Sequence, residues 1–144
     1  MDASSSERSD VVIATDGSES ADRAVAAGAA LARRLGARAV LVYVRPALGP
    51  LGAPYHQEKL TEQMAHARAA LDRAQKIAAE AAVEAQEEVF EGQPAEQIVE
   101  VARVRDAPVI VVGSRGLGAI AGALLGSVSS AVLHRADRPV LVVR

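Results

Sequence analysis

A chain of 144 residues, half of them apolar, with a formal net charge of -2 and a pI near 5.9, fits one domain with a sizeable core and carries no basic footprint for nucleic acid. The aromatic complement is one Phe and two Tyr without Trp, which removes the usual base-stacking platforms. The lack of cysteine excludes disulfides, zinc–thiolate sites and thiol nucleophiles.

Residues Met1–Ser9 are small and polar, with Asp2 and Glu7, and have no apolar core of the kind a signal peptide carries. They are expected to form a disordered tail ahead of a single domain over residues 10–144. Asp10–Thr15 predicts a first strand, closed by the turn and capping residues Asp16, Gly17 and Ser18. From Ser20, the residues Ala21, Ala24, Val25, Gly28, Leu31, Ala32 and Leu35 recur at helical spacing, and Gly36 suits a C-terminal cap. Ala39–Val44 is a second continuous apolar strand. The Pro/Gly-rich Arg45–Tyr55 that follows is a candidate lid loop, with His56 just beyond it in the same loop. Glu58–Glu84 predicts a long helix with Leu60, Met64, Ala67, Leu71 and Ala74 on one stripe.

Glu87–Glu91 has the charged composition of a sheet-edge strand. Pro94 suits the first turn of a helix that turns Ala95, Ile98, Val99 and Ala102 inward. Val109–Val112 has the β-branched content of a buried parallel strand and breaks at Gly113. Ser127–Arg135 is a short helix, and Pro139–Val143 the last strand. The weakly polar run Ala119–Val128 is about half of what a membrane helix needs and contains Gly122 and Gly126, so no span is expected; the lack of cysteine makes cytoplasmic residence the simplest reading. Alternation of strands and helices implies an α/β fold with a parallel sheet covered on both faces.

In such sheets ligands bind beyond the carboxyl ends of the strands, where strand order reverses. With the first strand between the second and fourth, Asp16 lies beside the loop that contains Gly113, Gly116 and Gly126. Ser127, Ser129 and Ser130 stand at the following helix start. Glycines let backbone N–H groups approach an anion, and a helix N-terminus adds unpaired donors and partial positive charge. Asp16 and Ser127 each have a second reading as helix caps. A Walker loop is excluded because the only lysines, Lys59 and Lys76, lie in the long helix, and no G-x-G-x-x-G follows the first strand. His56, His66 and His134 show no metal-ligand spacing, and no Ser/His/Asp arrangement is favoured.

Spaced as G-x2-G-x9-G-S, residues Gly113, Gly116, Gly126 and Ser127 resemble the signature of the ATP-binding subgroup of the universal stress protein family. The segments Val12–Ser18, Gly92–Ala95 and Arg138–Val143 extend the likeness from about Asp10 to Arg144. The resemblance implies a Rossmann-like three-layer α/β/α fold, with a five-stranded parallel sheet of order 3-2-1-4-5 and ATP held without a Walker lysine. By position it places Ala14 and Thr15 beside the base, Val44 at the adenine edge, and Asp16 on ribose or on a Mg²⁺ ion. Gly113, Arg115 and Gly116 then surround ribose and phosphates, and Gly126, Ser127, Val128 and Ser129 wrap the phosphate tail. Leu117–Leu125 is uncharged, so Arg115 is the only side-chain cation in the motif and triphosphate affinity is expected to be modest or to lean on Mg²⁺. An exposed last strand calls for a cover, and a homodimer through Val140–Val143 fits both the edge argument and the resemblance. The function expected is a regulatory, nucleotide-responsive ATP-binding protein; a slow ATPase or phosphotransferase and a nucleotide-free interaction module are the alternatives.

Overall fold

A computed structural model describes residues 8–50, 52–116 and 124–144. The elements, in chain order, are β1 Asp10–Ala14, α1 Glu19–Leu35, β2 Arg38–Arg45, α2 Ala53–Glu80, β3 Ala85–Glu91, α3 Pro94–Val104, β4 Ile110–Gly113, α4 Ser127–Arg135 and β5 Val140–Val143. The strands form one parallel sheet in the order β3-β2-β1-β4-β5, the Rossmann-like arrangement that the resemblance implies.

Alternation along the central strands builds two cores. Val11, Ile13, Leu41 and Val111 pack with α1 and α2 against one face, where Val25, Ala29, Leu71 and Ala74 meet them. Val12, Val40, Val42, Ile110 and Val112 face the other way, toward Ile98 and Ala102 of α3 and Val132 of α4. Because side chains in a strand alternate between faces, an uninterrupted apolar run is what a doubly covered strand requires. Glycine at position 28 lets α1 pack closely on β1, since a Cβ there would lie 2.7 Å from Ile13 Cδ1 and would force that side chain to shift.

The sheet edges differ as their sequences suggest. β3 carries Glu87, Glu88 and Glu91, which are paired with Arg68, Arg105 and Arg45. At the amino end of the sheet, buried Asp10 accepts from Arg38 Nε and Arg105 Nη1, each at 2.9 Å. Charge thus closes the end of the sheet opposite the strand carboxyl termini.

Several boundaries move. The connection expected over Arg45–Tyr55 is shorter, because β2 runs through Arg45 and α2 starts at Ala53 with Pro54 in its first turn. His56 therefore sits in a helix, not a loop. At the other end α2 stops at Glu80 rather than Glu84: Ala82 takes a φ of 56° and Val83 N donates back to Ala78 O at 3.0 Å. This is a left-handed helix stop, usually marked by glycine, here made by alanine. β3 accordingly starts at Ala85, two residues before Glu87. Of the expected N-terminal tail, residues 1–7 lie outside the described residues, and Ser9 O accepts from Arg38 N at 3.0 Å. Most of the uncharged stretch in the glycine motif, residues 117–123, lies outside them as well. No described helix is long and apolar enough to cross a membrane.

Candidate functional site

The loop after β1 is organised by its own side chains. Thr15 Oγ1 accepts from Gly17 N at 3.2 Å, Asp16 Oδ1 from Ser18 N at 3.0 Å, and Ser18 Oγ from Ala21 N at 3.1 Å. Ser18, not Asp16, is therefore the N-cap of α1, and the capping alternative for Asp16 is set aside. Gly17 sits at φ 83°, and a Cβ there would come within 3.1 Å of Ala70 on α2. Two further residues of α2 hold the loop from outside. His66 Nε2 lies 3.2 Å from Asp16 O, and Arg73 Nη1 donates to Gly17 O at 3.2 Å while pairing with Asp22.

The loop after β4 depends on close approach. A Cβ on Gly113 would lie 2.8 Å from Ser20 O, so the end of β4 packs directly on the first turn of α1. Ser20 Oγ then accepts from Arg115 N at 3.2 Å. A Cβ on Gly116 would lie 2.7 Å from Asp16 Oδ2, which puts the carboxylate against the glycine loop as the strand order requires.

Past the uncharged stretch, Gly126 N donates to Ser114 O, and buried Ser129 Oγ lies 3.2 Å from Ser114 O and 3.1 Å from Gly126 O. These bonds fasten the start of α4 to the end of β4. Gly126 is the N-cap of α4 and Ser127 its first helical residue, without a side-chain cap bond. The capping role considered for Ser127 is thus not the one it takes. The helix instead brings first-turn N–H groups without a side-chain cap to the cleft.

These loops enclose one side of a cleft of about 440 Å³, a volume within the range of small-molecule sites. Every residue that the resemblance singled out, from Ala14, Thr15 and Asp16 through Val44 to Ser129, lines it. The remaining wall is mostly apolar: Pro46 comes from the expected lid segment Arg45–Tyr55, while Ala21 of α1, Val42 and Tyr43 of β2, Pro94 and Ile98 of α3, and Val112 of β4 were not expected there. Ile98 and Val112 read from sequence as core positions, which they also are. The available signal was their place at the carboxyl edge of the sheet and the first turns of α3. Tyr43 packs its ring 5.9 Å from that of His66. Burial pushes the Tyr43 phenol above its ordinary value, and the nearby Asp16 carboxylate pushes it further the same way.

The cleft thus combines an apolar slot, backbone N–H groups, one carboxylate and one guanidinium, a set suited to a flat apolar ring joined to an anionic tail. Among the described residues no group of three or more His, Asp or Glu side chains could hold a metal ion. A divalent cation at Asp16 would take its other ligands from ligand phosphates and water, as Mg²⁺ commonly does.

A profile described as "Universal stress protein family" matches residues 7–144. A universal stress protein of Thermus aquaticus is 39% identical over 140 residues, covering 93% of this chain and 97% of the relative. Among solved structures, universal stress protein UspA from Lactobacillus plantarum superposes with a TM-score of 0.84 at 26% identity, over 94% of this chain and 97% of that one. A universal stress protein solved in complex with cAMP superposes with a TM-score of 0.75 at 30% identity, over 94% and 97% of the two chains. With the family model matched over residues 7–144 and a 39% identical relative covered over 97% of its length, the chain belongs to the universal stress protein family.

Proposed function

We propose that the chain is an ATP-binding universal stress protein in which the nucleotide acts as a regulatory ligand. The observation that carries this reading is the contact between two loops distant in sequence: the carboxylate of Asp16 abuts Gly116 at the mouth of a cleft whose inner wall is apolar. The adenine ring suits the slot bounded by Val42, Val44 and Ile98, with the backbone of Val44 at its polar edge and that of Ala14 and Thr15 beside it. Gly113, Arg115 and Gly116 border the ribose and first phosphates, and the start of α4, from Gly126 to Ser129, supplies N–H donors for the tail. A universal stress protein of the same fold was solved in complex with cAMP, an adenine nucleotide, which supports this reading.

Asp16 has two compatible tasks, because Oδ1 is engaged by Ser18 N while Oδ2 faces the glycine loop. It accepts from a ribose hydroxyl, or it shares a Mg²⁺ ion with the phosphates, and that ion would offset the negative charge of the tail. The titratable side chains among the described lining residues are Asp16, Tyr43 and Arg115. With Tyr43 held in its neutral form and Asp16 bound to its own turn, this set favours holding a nucleotide over moving protons during hydrolysis. Pro46 opens the β2–α2 connection and lines the cleft, so this connection is the element whose conformation nucleotide occupancy would bias.

The same reading includes a homodimer. β5 is an outer strand with one pairing partner, and Leu141 on it is 37% exposed, so a second copy would cover both its free backbone groups and its apolar side chains. The test of the functional reading is a calorimetric titration with ATP, with and without Mg²⁺, accompanied by phosphate-release measurement on the same sample. Saturable binding with turnover far below the roughly 1–100 s⁻¹ of kinases is expected. Absence of binding, or turnover in that range, would overturn it.

A further inference from the structure

Beside the cleft lies a second hollow of about 320 Å³, lined by Arg23, Ser114, Arg115, Leu124 and Arg144. Arg115 borders both spaces. Arg23, Arg115 and Arg144, from three separate parts of the chain, line it, in a protein whose formal net charge is -2. The fold brings these residues to one place. Gly113 pairs with Val143 across β4 and β5, and Ser114 N donates to Val143 O at 2.8 Å, which carries Arg144 to the glycine loop. On the other side Ser20 Oγ holds Arg115 N, and Arg23 follows on α1 less than one helical turn later.

Arginines elsewhere are mostly committed to carboxylates: Arg38 to Asp10, Arg45 to Glu91, Arg68 to Glu87 and Arg73 to Asp22. Arg23 and Arg144 form no ion pair among the described residues. A guanidinium presents several N–H donors in a planar fork that matches phosphate oxygens, so two arginines lining a hollow beside the cleft have an evident complement.

We propose that Arg23 and Arg144 make this hollow a second anion subsite, which takes the terminal phosphate of a nucleoside polyphosphate whose nucleoside lies in the cleft. The inference rests on the nucleotide reading of the cleft. It replaces the expectation of a single cation at the phosphate end with a cationic rim contributed by α1 and the residue after β5. Nucleotides would then be selected by phosphate-chain length: AMP ends within the cleft, whereas ATP and adenosine tetraphosphate reach the hollow.

The experiment is a titration of AMP, ADP, ATP and adenosine tetraphosphate into wild type and an Arg23→Gln/Arg144→Gln variant, at one ionic strength and without Mg²⁺. Both arginines are exposed and make no ion pair, so the variant is expected to keep the wild-type circular dichroism and AMP affinity. Wild type should bind ATP at least about tenfold more tightly than AMP, and the variant should reduce that gain to about threefold or less. An unchanged gain in the variant, or equal affinity of wild type for AMP and ATP, would overturn the subsite while leaving the cleft reading intact. Failure of wild type to bind any of the four would overturn both.

Discussion

Asp16 and Gly116 meet closely enough that a Cβ on Gly116 would lie 2.7 Å from Asp16 Oδ2 and would have to displace the carboxylate. The other carboxylate oxygen is occupied, accepting from Ser18 N at 3.0 Å, so the side chain cannot swing away without giving up the turn that leads into α1. One residue closes the loop after β1, the other the loop after β4, and their contact fixes the mouth of the cleft.

Asp16→Asn separates the charge of this residue from its shape. The amide oxygen can still accept from Ser18 N, so the turn and the thermal stability should stay close to wild type. If Asp16 shares Mg²⁺ with a bound nucleotide, the substitution removes the Mg²⁺-dependent part of ATP affinity, a change of about tenfold or 1.4 kcal/mol. Isothermal titration with and without Mg²⁺ checks it. An equal Mg²⁺ effect in both proteins would leave Asp16 with the ribose alone.

Gly113→Ala should act on stability first. Its new methyl group would meet backbone at Ser20 O, 2.8 Å away, and backbone cannot rotate aside as a side-chain tip can. Moving α1 also strains the Arg115 N to Ser20 Oγ bond. Overpacking of this kind costs about 1–3 kcal/mol, which lowers Tm by several degrees in a chain of this size. A thermal melt within about one degree of wild type would show that the β4–α1 contact is softer than its distances imply.

Tyr43 supplies a spectroscopic handle, because Tyr55 is the only other tyrosine and tryptophan is absent. In a Tyr55→Phe variant, phenolate absorbance should appear above the ordinary value of 10.0, chiefly through burial and secondarily through Asp16. The sign follows from the proton: the folded protein holds it more tightly than the unfolded chain does. The stability gained is fully present below the unfolded pKa and is lost as pH rises through the folded one. Adding Asp16→Asn should lower the midpoint only partway, since burial remains. A midpoint at or below the ordinary value would contradict the burial.

Leu141 tests the assembly. Wild type should scatter light as twice the 14.9 kDa chain at micromolar concentration, and Leu141→Glu, which places a charge on the exposed face of β5, should shift it to the monomer. A monomeric wild type under those conditions would refute the dimer.

How much of this was legible in the sequence depended on whether the signal was local. Continuous apolar runs such as Val109–Val112 and Ala39–Val44 announced buried parallel strands because both faces are covered, and Glu87–Glu91 announced an edge because its charges need solvent or arginine partners. The glycine spacing marked the loop, though not the reason for each glycine: Gly113 answers to α1 and Gly116 to Asp16. The end of α2 was misread because Ala82 does the work of a glycine at φ 56°. The cap of α1 was divided between Asp16 and Ser18 in a way that only the turn geometry resolves. Tyr43 as cleft wall, and Arg23 and Arg144 as its cationic neighbours, come from elements far apart in the chain and had no common motif to reveal them, whereas Pro46 lies in the Pro/Gly-rich segment already marked as a lid.

The most direct measurement is the ATP dissociation constant of Gly116→Val beside that of wild type, with circular dichroism confirming that both are folded. A valine cannot share space with the tethered carboxylate of Asp16, so the account predicts saturable binding by wild type and at least a tenfold loss in the variant, about 1.4 kcal/mol. Equal affinity in the two proteins, or no binding in either, would contradict it.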